Sequence, residues 1–179
     1  KTSSNNLIFR LDVDDQWKLN KLNEQVKSLE KSNSKFIFLN NIINNKINKK
    51  IYIRKKGRLP EGNITQSLLN DYFLGIITVM IRKDIFKSFN FNESYNVIGD
   101  FDLFIKLSLK YKFISSQESF AIYNIHGKNM SLVKLKVYTQ ELENWIKKNE
   151  KKLSKKFNIN KIKFLVFKLK IKNFLNNIF

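Results

Sequence analysis

Cysteine is absent, proline occurs once, histidine once, and arginine only as Arg10, Arg54, Arg58 and Arg82. Without cysteine there is no disulfide framework and no thiolate metal site, a pattern that fits the cytosol without requiring it. Apolar runs are short. The longest uncharged one, Tyr72 to Ile81, is half the ~20 residues that a membrane-spanning helix needs, and no signal peptide is visible. The expectation is therefore a chain that is soluble or peripheral to a membrane. Scarce arginine argues against nucleic acid as the partner, because base and phosphate recognition favours the bidentate guanidinium.

What remains is a chain of 179 residues, 42% apolar, with a formal charge of +19 that is almost wholly lysine. That length suits one domain with a real core, and that apolar content excludes a disordered chain. Lysine accompanies abundant Asn, Ile and Phe, a bias that an AT-rich genome also produces. The charge still favours anionic partners such as nucleotide phosphates and acidic lipid. The chain begins at Lys1 with little ahead of its first strand, and a preceding N-terminal portion is expected.

Periodicity predicts strands at Leu7–Leu11, Lys35–Leu39, Ile51–Ile53, Ile76–Ile81 and Ser119–Ile125. Leu19, Leu22, Val26 and Leu29, counted from Trp17, form one helical stripe. Ile64–Asn70 and Lys83–Ser88 read as short helices, and Asp100–Tyr111 as a longer one. Leu135, Tyr138, Leu142 and Trp145 mark a further stripe. Pro60 in Arg58-Leu59-Pro60-Glu61-Gly62 marks a turn. Alternating strands and helices predict an α/β domain. After Lys147 lysines interleave with Ile, Leu, Val and Phe. They fall on two sides of a helical wheel, so a helix is expected there but not a cleanly amphipathic one.

Two acidic clusters carry the chemistry: Asp12-Val13-Asp14-Asp15 after the first strand, and Gly99-Asp100-Phe101-Asp102 at the start of a helix. Carboxylates crowded at a strand's end repel one another and are best tolerated around a cation or its phosphate ligand. Each cluster also has a plain structural reading. Asp14 or Asp15 would cap a helix beginning at Trp17, and Asp100 and Asp102 would complement a helix dipole. An EF-hand loop is excluded, for it lacks glycine at the sixth position and glutamate at the twelfth. A lone histidine such as His126 is most often a surface residue.

Taken in order, these segments resemble the family-2 inverting glycosyltransferases of GT-A fold. Leu11-Asp12-Val13-Asp14-Asp15-Gln16-Trp17, with Lys21-Leu22 and Gln25, resembles the family's Asp-x-Asp segment. Gly75 with Thr78 to Lys83 is similar to its glycine, strand and basic pair. Phe86 to Tyr95 is similar to its "Gly-Gly-Phe-Asp-Glu" turn. Asp100 to Leu107 resembles "Glu-Asp-Tyr-Asp-Leu-Trp-Leu-Arg-Leu", and Tyr123 to Ser131 resembles "Tyr-Arg-x-His-x-x-Asn-x-Ser". Two positions depart: Gly99 stands where the family has Glu, and Asn124 where it has Arg. The βα units that form half of the family's nucleotide site have no counterpart here.

The resemblance implies a partial GT-A-like, Rossmann-like mixed sheet flanked by helices over residues 1–147, followed by a basic, apolar-interleaved helical tail over 148–179. It implies an enzyme that moves sugar with inversion from a nucleotide-sugar donor to a glycan or lipid-linked acceptor, as in surface polysaccharide synthesis. Asp14, with Asp12 and His126, would ligate Mn²⁺ or Mg²⁺. At the nucleotide site Asp12 would contact the ribose or the ion's water shell, Asp15 would support it from behind, and Lys128 would add positive charge at the diphosphate. Asp100 would be the base that deprotonates the acceptor hydroxyl, with Asp102 as its fallback, and Asp102 and Gly75 would lie on the acceptor side. Asp14 and Asp100 are expected to face one cleft. The tail, 151–179, would meet an anionic membrane surface at the cytoplasmic face. A haloacid-dehalogenase-like phosphatase and a non-enzymatic basic membrane- or RNA-binding module remain as alternatives. The phosphatase leaves Trp17 and His126 without a role, and the module leaves the acids unexplained.

Overall fold

Phe36-Ile37-Phe38-Leu39 is apolar without alternation, the pattern of a strand covered on both faces, and all four side chains are buried. The computed structural model, which describes residues 6–176, places this run at the start of the central strand. The fold is mixed α/β, and its chain forms two compact units. The first comprises residues up to 64, 73–90 and 107–126, and the second 65–72, 91–106 and 127 onward.

The first unit holds the sheet: β1 (Leu7–Phe9), β2 (Gln16–Trp17), β3 (Phe36–Asn45), β4 (Lys50–Ile53), β5 (Met80–Arg82) and β6 (Ile114–Ile125). Their order is β1-β5-β3-β6-β2, with β4 hairpinned onto the far half of β3. Among the described residues only the β3–β6 pair is parallel, and its register slips between Leu39 and Asn41. Helix α1 (Lys21–Glu30) covers one face, where Leu29, Ile37 and Met80 are fully buried with Leu7, Leu22, Val26 and Ile114 around them. On the opposite face Phe36 stacks on Phe113 with ring centroids 4.7 Å apart, and Phe38 meets Phe73 at 5.8 Å.

The second unit is helical: α2 (Thr65–Asn70), most of α3 (Gly99–Lys110), α4 (Met130–Val133), α5 (Leu135–Leu153) and α6 (Asn160–Asn176). Here α6 packs on α5 and α2. Phe101 meets Trp145 edge-on at 4.8 Å. Gln66 and Asn158 exchange two hydrogen bonds of 2.8 Å that tie the α5–α6 turn to α2. Among the described residues no helix is long and apolar enough to cross a membrane.

Several elements differ from the sequence expectation. Ile76–Thr78 is a 3-10 turn rather than strand, and only Met80–Arg82 pairs, against β1 and β3. The cause is competition for the backbone. Thr78 Oγ1 donates to its own turn at Gly75 O (2.6 Å), while Trp17 Nε1 takes Ile77 O (3.0 Å) and Gln25 Nε2 takes Thr78 O (2.8 Å). Trp17 itself lies on a strand, and α1 starts four residues later. The residue ahead of α1 is Asn20 in the left-handed region (φ 69°), without a side-chain cap, so neither Asp14 nor Asp15 caps it. The first strand ends at Phe9, and Phe9 and Leu11 are exposed at the sheet's edge. Strand β3 continues through Asn40 and Asn41 to Asn45, where asparagine disfavours a strand. Asn40 compensates by bonding both backbone groups of Lys55, Nδ2 to O at 2.8 Å and Oδ1 from N at 3.2 Å.

Candidate functional site

The acidic turn is fastened to the end of β6. Asp15 N–H closes the turn onto Asp12 O at 3.1 Å, and β2 then pairs Gln16 with Ile122 and Trp17 with Ala121. That register brings the turn beside Asn124 and His126. Asn124 N–H donates to Asp15 Oδ1 (2.8 Å), Asn124 Nδ2 donates to Asp14 O (2.7 Å), and Asn44 Nδ2 donates to Asn124 Oδ1 (2.8 Å). His126 Nε2–H then reaches Asp14 Oδ2 at 2.6 Å. The two residues stand 112 positions apart in sequence.

The three acids meet different fates. Asp14 is partly exposed and its carboxyl lies below the usual range, chiefly because His126 hydrogen-bonds it. Asp15 is buried and pushed up to about 6, first by burial, with the charges of Asp14 and Asp12 adding to it against the Asn124 hydrogen bond. Its Oδ2 is buried without a hydrogen-bond partner among the described residues. Asp12 Oδ1 pairs with Arg10 Nε at 2.7 Å at the surface. Asp14 and His126 are thus brought together, Asp15 supports them from within, and Asp12 turns to Arg10.

A buried lysine opens α1. Lys21 is 1% exposed. Its Nζ donates to Gln25 Oε1 at 2.6 Å and lies 4.1 Å from the Trp17 ring centroid. Burial lowers its pKa to about 7. Trp17 and Gln25 clamp the Gly75–Thr78 turn through the carbonyls of Ile77 and Thr78, and Lys21 holds Gln25. Gly75 has ordinary backbone angles, and a Cβ there would approach nothing closer than 3.9 Å, so packing does not demand glycine.

The second acidic cluster belongs to the other unit. Asp100 Oδ2 accepts from Tyr72 OH at 3.1 Å and Oδ1 from Phe101 N–H at 2.7 Å. Tyr72 is held well above its usual pKa by burial and by Asp100, so it stays a donor. Asp102 is 2% exposed, with Oδ1 accepting from Trp145 Nε1 (2.9 Å) and Oδ2 from Lys106 Nζ (2.6 Å). Both oxygens are thus engaged inside the helical unit. Glu141, which nothing in the sequence singles out, gathers the loop ahead of α3: its carboxylate receives the N–H groups of Asn96 (2.7 Å), Val97 (3.0 Å) and Ile98 (3.1 Å). Lys128 lies exposed in the turn after β6.

Among the described residues no group of three or more His, Cys, Asp or Glu side chains converges as a metal cage. One carboxylate and one imidazole do converge; the carboxylate is an oxygen donor of the kind that Mn²⁺ and Mg²⁺ prefer, and the imidazole is a softer donor. No protein-family model matches the chain, and no curated protein matches it in sequence.

Proposed function

We propose that the chain is the acceptor-side part of an inverting glycosyltransferase of GT-A type that draws sugar from a nucleotide diphosphate donor. The observation that carries this reading is the 2.6 Å contact of His126 with Asp14. It joins two segments whose resemblance to that family is independent and far apart in sequence. Asn124, at the position of the family's Arg, links the same segments by hydrogen bonds to Asp14 and Asp15.

In this reading Asp14 and His126 would hold Mn²⁺ or Mg²⁺. The ion, when bound, offsets the negative charge that gathers on the leaving diphosphate. The chain's own residues do the remaining work. Asn124 fixes the turn that presents Asp14. Asp15, buried beneath it, holds its Oδ1 against Asn124 N–H. Asp100 removes the acceptor hydroxyl's proton on the face opposite the leaving group. Tyr72 OH fixes the Asp100 carboxylate in one orientation. The phosphatase alternative leaves Trp17 and His126 without a role, whereas here His126 is engaged with Asp14 and Trp17 with Ile77 O.

The test is sugar transfer by the full-length protein from a panel of radiolabelled nucleotide sugars, with Mn²⁺, Mg²⁺ and chelator. Metal-dependent transfer that Asp14→Ala abolishes supports the reading. Hydrolysis of phosphate monoesters without sugar transfer overturns it in favour of the phosphatase.

A further inference from the structure

Helix α6 carries two apolar stripes on opposite sides. At about 3.6 residues per turn, Ile162 and Val166, both buried, share one side with the half-buried Leu169 and Asn173. This side packs on α5 and α2, and Asn173 Nδ2 donates to Thr139 Oγ1 of α5 at 2.7 Å. Phe164, Phe167, Ile171, Phe174 and Leu175 fall on the other side and are exposed at 55, 57, 45, 65 and 47%. The lysines fill the two flanks between the stripes, Lys161, Lys168 and Lys172 on one and Lys163 and Lys170 on the other. That arrangement explains why the helix has almost no net amphipathic direction: the two stripes cancel.

Five large apolar side chains, three of them aromatic, on the solvent face of one short helix are unusual for a surface exposed only to water. The flanking charge says what covers them. Lys163 and Lys170 are partly neutralised by Glu150 and Glu143 of α5, but Lys161, Lys168 and Lys172 are exposed. Lys168 lies 4.5 Å from the Phe164 ring centroid, and Phe164 and Phe167 stack at 6.3 Å. A second copy of a chain with net charge +19 would be repelled along such a face.

We propose that the outer face of α6 is a membrane-docking surface for an anionic bilayer, with the helix lying in the plane of the interface. Phe164, Phe167, Ile171, Phe174 and Leu175 enter the boundary between headgroups and acyl chains, and the lysines on both flanks meet the lipid phosphates. Packing of the opposite stripe on α5 and α2 keeps the helix presented in this orientation before it binds.

The experiment is co-sedimentation of the full chain with vesicles of phosphatidylcholine alone and of phosphatidylcholine with an equal part of phosphatidylglycerol. The expected result is binding to the anionic vesicles only, lost at 0.5 M salt. The variant Phe164→Ser/Phe167→Ser/Phe174→Ser should bind at least tenfold more weakly. Its substitutions are exposed, and an unchanged circular dichroism spectrum verifies the fold. In a second measurement Phe167→Trp should gain fluorescence quenching by brominated acyl chains, beyond that of the two native tryptophans. Equal binding by the parent and the triple serine variant, or no added quenching, would show charge attraction without insertion and overturn the proposal. So would a dimer in light scattering that the serine variant dissociates, since that makes a second copy the occupant.

Discussion

The backbone N–H of Asn124 donates to Asp15 Oδ1 at 2.8 Å, and it is the one hydrogen bond this buried carboxylate receives among the described residues. Asp15 therefore sits in a cluster of three acids with its second oxygen buried and unsatisfied. Such a group is held for position, because its charge is costly there.

The first prediction concerns that cost. The Asp15 carboxyl rises from its ordinary 3.8 to about 6, so the folded state holds the proton more tightly than the unfolded chain. Its contribution to stability is fully present below about 3.8 and is lost as pH rises through about 6. Asp15→Asn keeps the oxygen that accepts from Asn124 and removes the charge. Relative to the parent it should gain roughly 1 kcal/mol between pH 5 and pH 8, a discounted share of what such a shift represents. Urea unfolding across this range decides it. Parallel stability curves for the two proteins would remove the burial argument.

Lys21 should show the opposite sign. Its folded pKa of about 7 lies below the ordinary 10.5, so its contribution is present above about 10.5 and is lost as pH falls through about 7. Burial outweighs the favourable placement over Trp17, which would hold a charged lysine. Lys21→Met should therefore be more stable than the parent at pH 6, by about 1 kcal/mol, and lose that advantage by pH 9. Thermal unfolding at the two pH values tests this, and an equal change at both would mean that packing alone is felt.

The first half of the central strand was legible as an unbroken apolar run, and α1, α3 and α5 were legible because each is set by its own periodicity. What escaped was set at a distance. Ile76–Thr78 has the composition of a strand, yet its carbonyls are taken by Trp17 and Gln25 from some sixty residues away. Trp17 looked like the first position of a helical stripe because tryptophan suits a helix face and a strand equally. At the site, the acids and His126 were visible through their resemblance to a family motif, but Asn124 registered there only as a departure. Its part depends on the β2–β6 register, which no local pattern encodes. Glu141 left no signal at all, for a glutamate on a helix reads as a solvated side chain until the loop it binds is known.

The Asp14 carboxyl should respond to the loss of its His126 hydrogen bond. Removing the imidazole by His126→Ala should bring the Asp14 carboxyl up toward its ordinary 3.8, since the hydrogen bond from His126 is the main cause that lowers it. Carboxyl ¹³C resonances followed by NMR report this directly. The same chain should retain Mn²⁺ in electron paramagnetic resonance titrations at least tenfold better than either His126→Ala or Asp14→Ala. Retention that neither substitution changes would move the metal elsewhere.

Asp100→Asn removes the proposed base while leaving the acceptor of the Tyr72 hydrogen bond. In an assay of the proposed sugar transfer, turnover should fall about 10²- to 10⁴-fold, the usual range for general base catalysis. Donor affinity should stay within about twofold, because the group acts on the acceptor hydroxyl. A parallel loss of donor binding would assign Asp100 to the donor instead.

Glu141 offers the sharpest test of the helical unit. Its carboxylate gathers three successive backbone N–H groups ahead of α3, and the N-terminal peptide dipoles of that helix favour the negative charge. Burial raises its pKa, but the bonds from Asn96, Val97 and Ile98 outweigh that and hold it below the ordinary 4.5. A depressed carboxyl contributes stability that is present above about 4.5 and is lost as pH falls through the folded value. Glu141→Ala leaves these N–H groups without their acceptor and should cost roughly 2–4 kcal/mol in urea unfolding at pH 7. Glu141→Gln retains one acceptor oxygen and should cost about 1–2 kcal/mol, while its stability should vary less with pH below 4.5 than the parent's does. If alanine and glutamine were equally mild, the 96–98 loop would have found other acceptors. The orientation of Asp100, two residues beyond Ile98, would then not depend on α5.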